Sequence, residues 1–291
     1  HESRGFVVVY SGNMEVGLMY RDLFRGTDDE YSRIIGLVRG RGPENDRGIV
    51  MWLHRMLTGE GEVPEPVTHR ASGIHHPDCE ADITLEDYIR RMDPSKATVG
   101  LMYASNLWIY GNQRHIDALI RELEAQGMNV IPVFFSATVG SDPSSRGAVS
   151  VVREYFMDGD RPRIDALIMT TPFSQLNNSR DCSGIYTPDE QNFYHMLTDV
   201  PVFQAMSSPV HFSDYEEVAG GSSSDGFRIS VIWSEVDGQI ITVPIGSNEG
   251  GSGGPKRYSP IQDRISHLAR LVRGWTALSR TPRSDRKVAV L

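Results

Sequence analysis

The sequence predicts an α/β fold built on a doubly wound parallel sheet, with a mainly helical region before it and a β-hairpin and long helix after it. Three observations carry this. Residues 98–103 form an apolar run, Ile116, Leu119, Ile120 and Leu123 then recur at helical spacing, and 130–135 form a second apolar run, with Gly127 placed to cap the helix between them. Strand, helix and strand joined in this way make a parallel pair with a right-handed crossover. The same alternation then continues through apolar runs at 164–169 and 202–205, giving β-α-β-α-β-α-β and hence a flavodoxin-like sheet over residues 96–208.

The elements follow in order. Residues 6–10 read as a strand. Tyr31, Ile34, Ile35 and Val38 mark one apolar helix face, and Gly42-Pro43 opens a second helix striped by Ile49, Trp52, Leu53, Met56 and Leu57. Residues 58–80 read as a loop, and TLED at 84–87 opens a short helix, which closes a helical region over 1–95. In the central region 104–111 reads as a polar and aromatic loop, 137–145 as a second loop, and a helix to about 157 turns Val149, Val152 and Phe156 inward. The long polar stretch 170–186 has a length typical of functional loops, and TPDE at 187–190 caps the next helix. Over 209–291 the style changes. Runs at 227–233 and 239–243 predict a hairpin turning at Asp237-Gly238, and SPIQ at 259–262 predicts a capping box. The helix it opens is striped by Ile261, Ile265, Leu268, Val272 and Trp275.

Composition narrows the function. With 29 basic against 38 acidic residues the net charge is −9, and no Lys/Arg run offers a nucleic-acid footprint. No apolar stretch is long enough to span a membrane. Two cysteines, Cys79 and Cys182, are too sparse to suggest a disulfide framework, so a cytoplasmic setting is expected. The chain opens on His1 without Met and breaks off in an apolar run at 287–291, and it reads as a piece of a larger protein. The glycine stretches at 220–225 and 250–254 read as loops or linkers.

Open parallel sheets bind ligands beyond the carboxyl ends of their strands. That rule selects Ser105, Trp108, Tyr110 and Asn112 after the first central strand, Ser136 after the second, and Thr170 and Thr171 after the third. Asn112 is a natural N-cap, and the helix start behind it could hold an anion; Trp108 and Tyr110 could stack on a flat ligand. The plain alternative is that Asn112 only caps and the aromatics pack against a neighbouring domain. His69, His75, His76, Asp78 and Cys79 are metal-ligand types without a metal-ligand spacing, so a loop role is expected and no metal site is assigned. There is no GxxxxGK[ST] or GxGxxG motif for a nucleotide, and GGSGG at 250–254 matches GxSxG in letters only, with no strand before it.

Seven segments in one order carry a resemblance: GPEN at 42–45, GIHHPD at 73–78, VGLMYASNLWIYGN at 99–112, IDALIRELEAQGMNVIPVFF at 116–135, DVPVFQAM at 199–206, IITVPIG at 240–246 and YSPIQDRISHLARLVRGW at 258–275. The chain resembles the CobN-type large subunit of cobaltochelatase and its relative, the large subunit of magnesium chelatase. The resemblance implies a fragment of the subunit that binds a tetrapyrrole and inserts a metal into it: Co²⁺ into a corrin ring in cobalamin biosynthesis, or Mg²⁺ into protoporphyrin. The metal is then substrate, no resident cofactor is implied for this fragment, and ATP is used by separate AAA+ motor subunits. Full-length members are several times longer, so the fragment alone is expected to be inactive. A flat apolar ring with polar arms calls for aromatic, amide and hydroxyl side chains, and Gln204 joins Trp108, Tyr110, Asn112 and Thr170 on those grounds. A base for the pyrrole protons points to His76 and His115. The alternatives are a non-catalytic flavodoxin-like docking or binding module, and a stand-alone transferase, for which no catalytic constellation is present.

Overall fold

The structure is a computed structural model that describes residues 21–24, 26–136, 147–172, 196–197, 199–217, 228–250 and 256–287. The expected elements at 6–10, 137–145 and 187–190, most of the polar stretch at 170–186, the glycine stretch at 220–225, nearly all of the one at 250–254 and nearly all of the apolar run at 287–291 lie outside these residues. The chain divides into two units, one running to His69 and the other beginning at Arg70.

The first unit is helical. Helix α1 (Asp28–Gly40) starts at a complete capping box between Thr27 and Glu30, and it buries Ile34 and Leu37. Helix α2 (Gly42–Thr58) has Pro43 in its first turn and ends at Gly59 in the left-handed region. The GPEN segment has a local task here. Asn45 donates to the carbonyls of Arg41 and Val67 and accepts from the Val67 N–H at 2.9 Å, which pins the following loop to the start of α2.

The second unit contains a seven-stranded sheet. Its elements in chain order are β1 (Ser72–Ile74), α3 (Leu85–Ile89), β2 (Thr98–Ala104), α4 (Ser105–Ile109), α5 (Arg114–Ala125), β3 (Asn129–Phe135), α6 (Gly147–Phe156), the small ladder β4 (Met157–Asp158) and β5 (Arg161–Pro162), β6 (Ala166–Met169), β7 (Val202–Ser208), α7 (Phe212–Glu217), α8 (Trp233–Val236), β8 (Ile240–Asn248), β9 (Tyr258–Pro260) and α9 (Gln262–Arg280). The sheet order is β1-β3-β2-β6-β7-β8-β9. Strands β3, β2, β6, β7 and β8 are parallel, and β1 and β9 close the two edges antiparallel. Counted along the chain, the parallel strands run 2-1-3-4-5, the flavodoxin-like order, with its switch point between β2 and β6.

Alternation along the strands separates two cores. Val99, Leu101 and Tyr103 of β2 share one face with Ile116, Leu119, Ile120 and Leu123 of α5 and Ile265, Leu268 and Val272 of α9. Met102, Ile131, Val133 and Met169 face the other way, onto Val152 and Phe156 of α6. The four buried apolar residues of α5 contribute roughly 1.5–3 kcal/mol each by leaving water.

Six expectations are corrected. Of the strand expected at 227–233, residues 228–233 are helical: a π-helical turn (Arg228–Ile232) runs into α8. Ile229, Ile232, Trp233 and Val236 fall at i, i+3, i+4 and i+7, a helical period hidden among β-branched residues. Asp237-Gly238 accordingly ends a helix, with Gly238 at φ 91° donating to the Glu235 carbonyl, instead of turning a hairpin. The antiparallel partner of β8 is β9, and β8 itself is the fifth parallel strand. Ser259 does not cap α9: it lies in β9, and α9 starts after Ile261 without a side-chain cap. Residues 105–109 form a short helix rather than a loop. Residues 58–80 contain β1, which pairs with β3 through three residues.

Candidate functional site

Strands β2, β3, β6 and β7 deliver their carboxyl ends to one edge of the sheet, where α4 and the first turn of α5 gather. Trp108, on α4, lies half-buried with its ring stacked on Phe134 at 4.2 Å and 4°. The Arg70 guanidinium sits 5.5 Å from the Trp108 ring and 5.6 Å from Phe134, and also donates to the Ala81 carbonyl. Ser105 is buried at the start of α4, and Tyr110 is exposed just beyond its end. Ser136 follows β3, its N–H donating to the Ala71 carbonyl at 2.8 Å.

Asn112 is not the N-cap of α5. That position belongs to Gln113, which makes no side-chain capping bond. The Asn112 amide instead acts as a small extra ladder: Nδ2 donates to the Lys256 carbonyl at 2.8 Å and Oδ1 accepts from the Tyr258 N–H at 2.9 Å. Its geometry ties the β2–α5 connection to β9, because a primary amide presents the same donor–acceptor pair as a strand backbone.

His115 lies in the first turn of α5, fully buried. Its Nε2 is 2.9 Å from Ser207 Oγ on β7, and its ring leans on Tyr258 at 5.2 Å. Gly246 on β8 makes room for it, since a Cβ there would come within 2.9 Å of the imidazole. Burial pushes His115 down to about 4, partly opposed by the Asp117 carboxylate, so the ring is neutral at pH 7. Its Nδ1 has no partner, and neither does the hydroxyl of Tyr103, the hydroxyl of Thr170 or Oε1 of Gln204 among the described residues. All four side chains are at least nine-tenths buried. Tyr103 and Thr170 are neighbours: Met102 pairs with Met169, and the Thr170 N–H donates to the Met102 carbonyl at 3.0 Å. Gln204 points to the opposite face, where its Nε2 donates to the Thr171 carbonyl at 3.2 Å.

The GIHHPD segment lies along the flank of α5. His75 Nε2 stands 3.1 Å from Asp117 Oδ1, His76 Nε2 stands 3.0 Å from Glu124 Oε1, and Asp78 takes both terminal nitrogens of Arg121 at 2.8 and 2.9 Å. Asp117, Arg121 and Glu124 occupy positions i, i+4 and i+7, so a single helix stripe receives all three. The Arg121 guanidinium holds the Asp78 carboxyl below its usual range. Among the described residues no group of three or more His, Cys, Asp or Glu side chains could hold a metal ion.

The structure therefore brings Thr170 and His115 to one face of the carboxyl edge, with Ser105, Trp108 and Ser136 along that edge and Thr171 and Gln204 on its other face. It separates His76 from His115, because Glu124 lies nine positions beyond His115, about 13 Å along a helix at 1.5 Å per residue. Tyr103, Asp117, Ser207 and Gly246 were not among the sequence candidates. Tyr103 reads as the last apolar residue of a strand, and only the unpaired hydroxyl sets it apart. Among the described residues no helix is long and apolar enough to cross a membrane.

Comparison with known proteins adds the following. A family model described as CobN/Magnesium Chelatase matches residues 36–291. The chain is 29% identical over 250 residues to an uncharacterised protein of Methanocaldococcus jannaschii, covering 85% of this chain and 19% of that one. It is 24% identical over 233 residues to the CobN subunit of the aerobic cobaltochelatase of Pseudomonas aeruginosa, covering 78% and 17%. It is 25% identical over 285 residues to the H subunit of the magnesium chelatase of Cereibacter sphaeroides, covering 91% and 22%. Among solved structures, the catalytic subunit of cobaltochelatase from Mycobacterium tuberculosis shares the fold at a TM-score of 0.58 and 19% identity, over 90% of this chain and 22% of that one. The chain spans about a fifth of the length of the curated relatives it matches.

Proposed function

The chain belongs to the CobN/magnesium chelatase family, and from that premise we propose that it forms part of the large subunit of a metal chelatase and supplies one wall of its tetrapyrrole site. The reaction of the whole protein on this reading is insertion of a divalent ion, Co²⁺ or Mg²⁺, into a corrin or porphyrin ring in the cytoplasm, with ATP hydrolysed by separate AAA+ subunits. The observation that carries the reading is the family match over 36–291, joined to relatives named for both metals.

The carboxyl edge of the sheet supports the same reading on physical grounds. It offers the Trp108 ring, supported from behind by Phe134, as an apolar surface beside buried polar atoms that lack partners among the described residues. His115 is the better placed of the two candidate proton acceptors: its ring is neutral, and its Nδ1 is uncommitted. His76 has both ring nitrogens engaged, Nε2 by Glu124 and Nδ1 by the Asp78 N–H, and would have to leave that pair first.

The test is a tryptophan-quenching titration of the chain with a metal-free corrin and with protoporphyrin. Saturable quenching that falls in Trp108→Phe is expected, and preference for one ring identifies the branch. If neither ring quenches, this segment is not a tetrapyrrole wall, and a docking role within the large subunit takes its place.

A further inference from the structure

We propose that the outer face of α9, around Trp275 and Leu278, docks an amphipathic helix of a partner protein whose flanks are acidic. The surface stands apart from the carboxyl edge of the sheet and does not depend on the tetrapyrrole reading.

α9 buries Ile265, Leu268, Ala269, Val272 and Thr276, which fixes the face it turns to the sheet. A second apolar stripe lies roughly 110° further round the helix, at 3.6 residues per turn. Leu271, Trp275 and Leu278 form it, at i, i+4 and i+7. Leu271 packs partly against the core, whereas Trp275 and Leu278 are 43% and 51% exposed. The Trp275 ring meets Phe203 edge-on at 6.0 Å, and Phe203 pairs with the half-buried Ile240, so the stripe continues onto the start of β8. Apolar residues at that spacing are what one helix offers another.

Gly274 lies between these side chains. A Cβ built on it would meet nothing within 4 Å, and its φ is not left-handed. Gly36, Gly48 and Gly246 differ, because a side chain within 3 Å excludes a Cβ at each of them. The fold therefore gives no reason for glycine at 274, where it weakens the helix. On an exposed face glycine lets a second backbone come close, and the exposed Ala277 one turn on does the same.

Charge sets the chemistry of the occupant. Residues 256–287 hold nine Lys and Arg against two Asp, a net +7 in a chain of −9 overall. Arg264 and Arg270 lie on the exposed side of α9 ahead of the stripe, and Arg283 and Lys287 follow its end. Of these four only Arg264 stands near a carboxylate among the described residues, that of Asp263 at 3.4 Å. An exposed tryptophan in an apolar centre with arginine around it has the anatomy of a protein interface, and its positive rim selects an acidic partner. A second copy would bring the same cations to the same stripe. Nucleic acid would use the cations and leave the apolar centre idle.

The experiment uses the 291-residue chain and two labelled helical peptides of about 18 residues, with leucine on one face and either glutamate or lysine on the other, followed by fluorescence anisotropy. The glutamate peptide is expected to bind saturably and about ten-fold or more tightly than the lysine peptide. Trp275→Ala should weaken it about ten-fold or more, and Arg264→Glu/Arg283→Glu should reverse the preference. Gly274 separates docking from folding. Gly274→Ala should raise the Tm by about 2–4 °C, whereas Gly274→Leu should keep the fold, checked by circular dichroism, and weaken the glutamate peptide about ten-fold by holding it off. The docking surface is overturned if the glutamate peptide does not bind, if the lysine peptide binds as well, or if Gly274→Leu binds like the parent. It is replaced by a contact between copies if the chain sediments as a dimer that Leu278→Glu dissolves, and by a nucleic-acid surface if duplex DNA displaces the peptide and still binds Trp275→Ala.

Discussion

His76 Nε2 stands 3.0 Å from Glu124 Oε1, while its Nδ1 receives the Asp78 N–H at 3.1 Å. The imidazole is bonded at both ends, Nδ1 accepting from the backbone and Nε2 facing the carboxylate. This is one of three rungs that fasten the segment after β1 to α5. His76→Ala and Glu124→Ala should each lower stability by about 1–2 kcal/mol, since each leaves a polar partner behind. Their double variant should lose less than the sum by about 0.5–1 kcal/mol. Urea unfolding of the four proteins measures this, and strict additivity would show that the rung carries no coupling.

His115 makes stability depend on acid. Its folded value of about 4 lies below the ordinary histidine value because burial disfavours the charged ring, so the unfolded chain binds the proton more readily. The contribution is therefore complete above about pH 6.5 and is lost progressively as pH falls toward 4. Between pH 7 and pH 5 the loss should be about 2 kcal/mol. His115→Gln should flatten that part of the profile, measured as the shift in urea midpoint between the two pH values. An unchanged slope in the variant would assign the acid sensitivity to other groups.

Gly246 and His115 should fail together. A methyl at Gly246 would approach the imidazole to 2.9 Å, and the ring is fully buried and held by Ser207. Gly246→Ala is expected to destabilise by about 1–3 kcal/mol through overpacking. Shortening the ring in Gly246→Ala/His115→Ser should recover part of that loss. Lack of any recovery would place the strain in the β7–β8 backbone, where the register is already irregular.

Asn112 should behave as a structural clasp. Asn112→Asp keeps the acceptor for the Tyr258 N–H but turns the donor facing the Lys256 carbonyl into a second acceptor. A cost of about 1–3 kcal/mol is expected, with the protection of the Tyr258 amide against hydrogen exchange falling with it. Preserved protection at Tyr258 would mean that β9 is held mainly by its ladder with β8.

The parallel sheet was legible because its strands are buried on both faces and read as continuous apolar runs, with Gly127 and the α5 stripe between two of them. The edge strands were not. β1 and β9 are three residues long, too short for a period to show, and they are defined by pairing with β3 and β8. Residues 228–236 misled because Ile229, Val231, Ile232 and Val236 favour a strand by type while their spacing serves a helix. For the site, strand-end logic found Thr170 and Trp108. It could not find the orphaned Tyr103 hydroxyl, nor the use of Asn112 across 146 positions of chain, because both depend on what the fold brings near.

Two buried tyrosines allow a direct test of that orphaned hydroxyl. Tyr88 donates its hydroxyl to the Val130 carbonyl at 2.8 Å, whereas Tyr103 has no partner among the described residues. Burial raises both phenols above their ordinary range, so both are neutral, and one is hydrogen-bonded where the other is not. Removing the hydroxyl should therefore have opposite signs. Tyr88→Phe leaves a carbonyl unsatisfied and should cost about 1–2 kcal/mol, while Tyr103→Phe removes an uncompensated desolvation and should stabilise the ligand-free chain by up to about 1 kcal/mol. Thermal unfolding of the two variants side by side decides it. A gain at Tyr103 that coincides with weaker ligand binding would mark a residue kept for function at the expense of the fold, and a loss would mean that the hydroxyl is already satisfied in the folded chain, by water or by a neighbour.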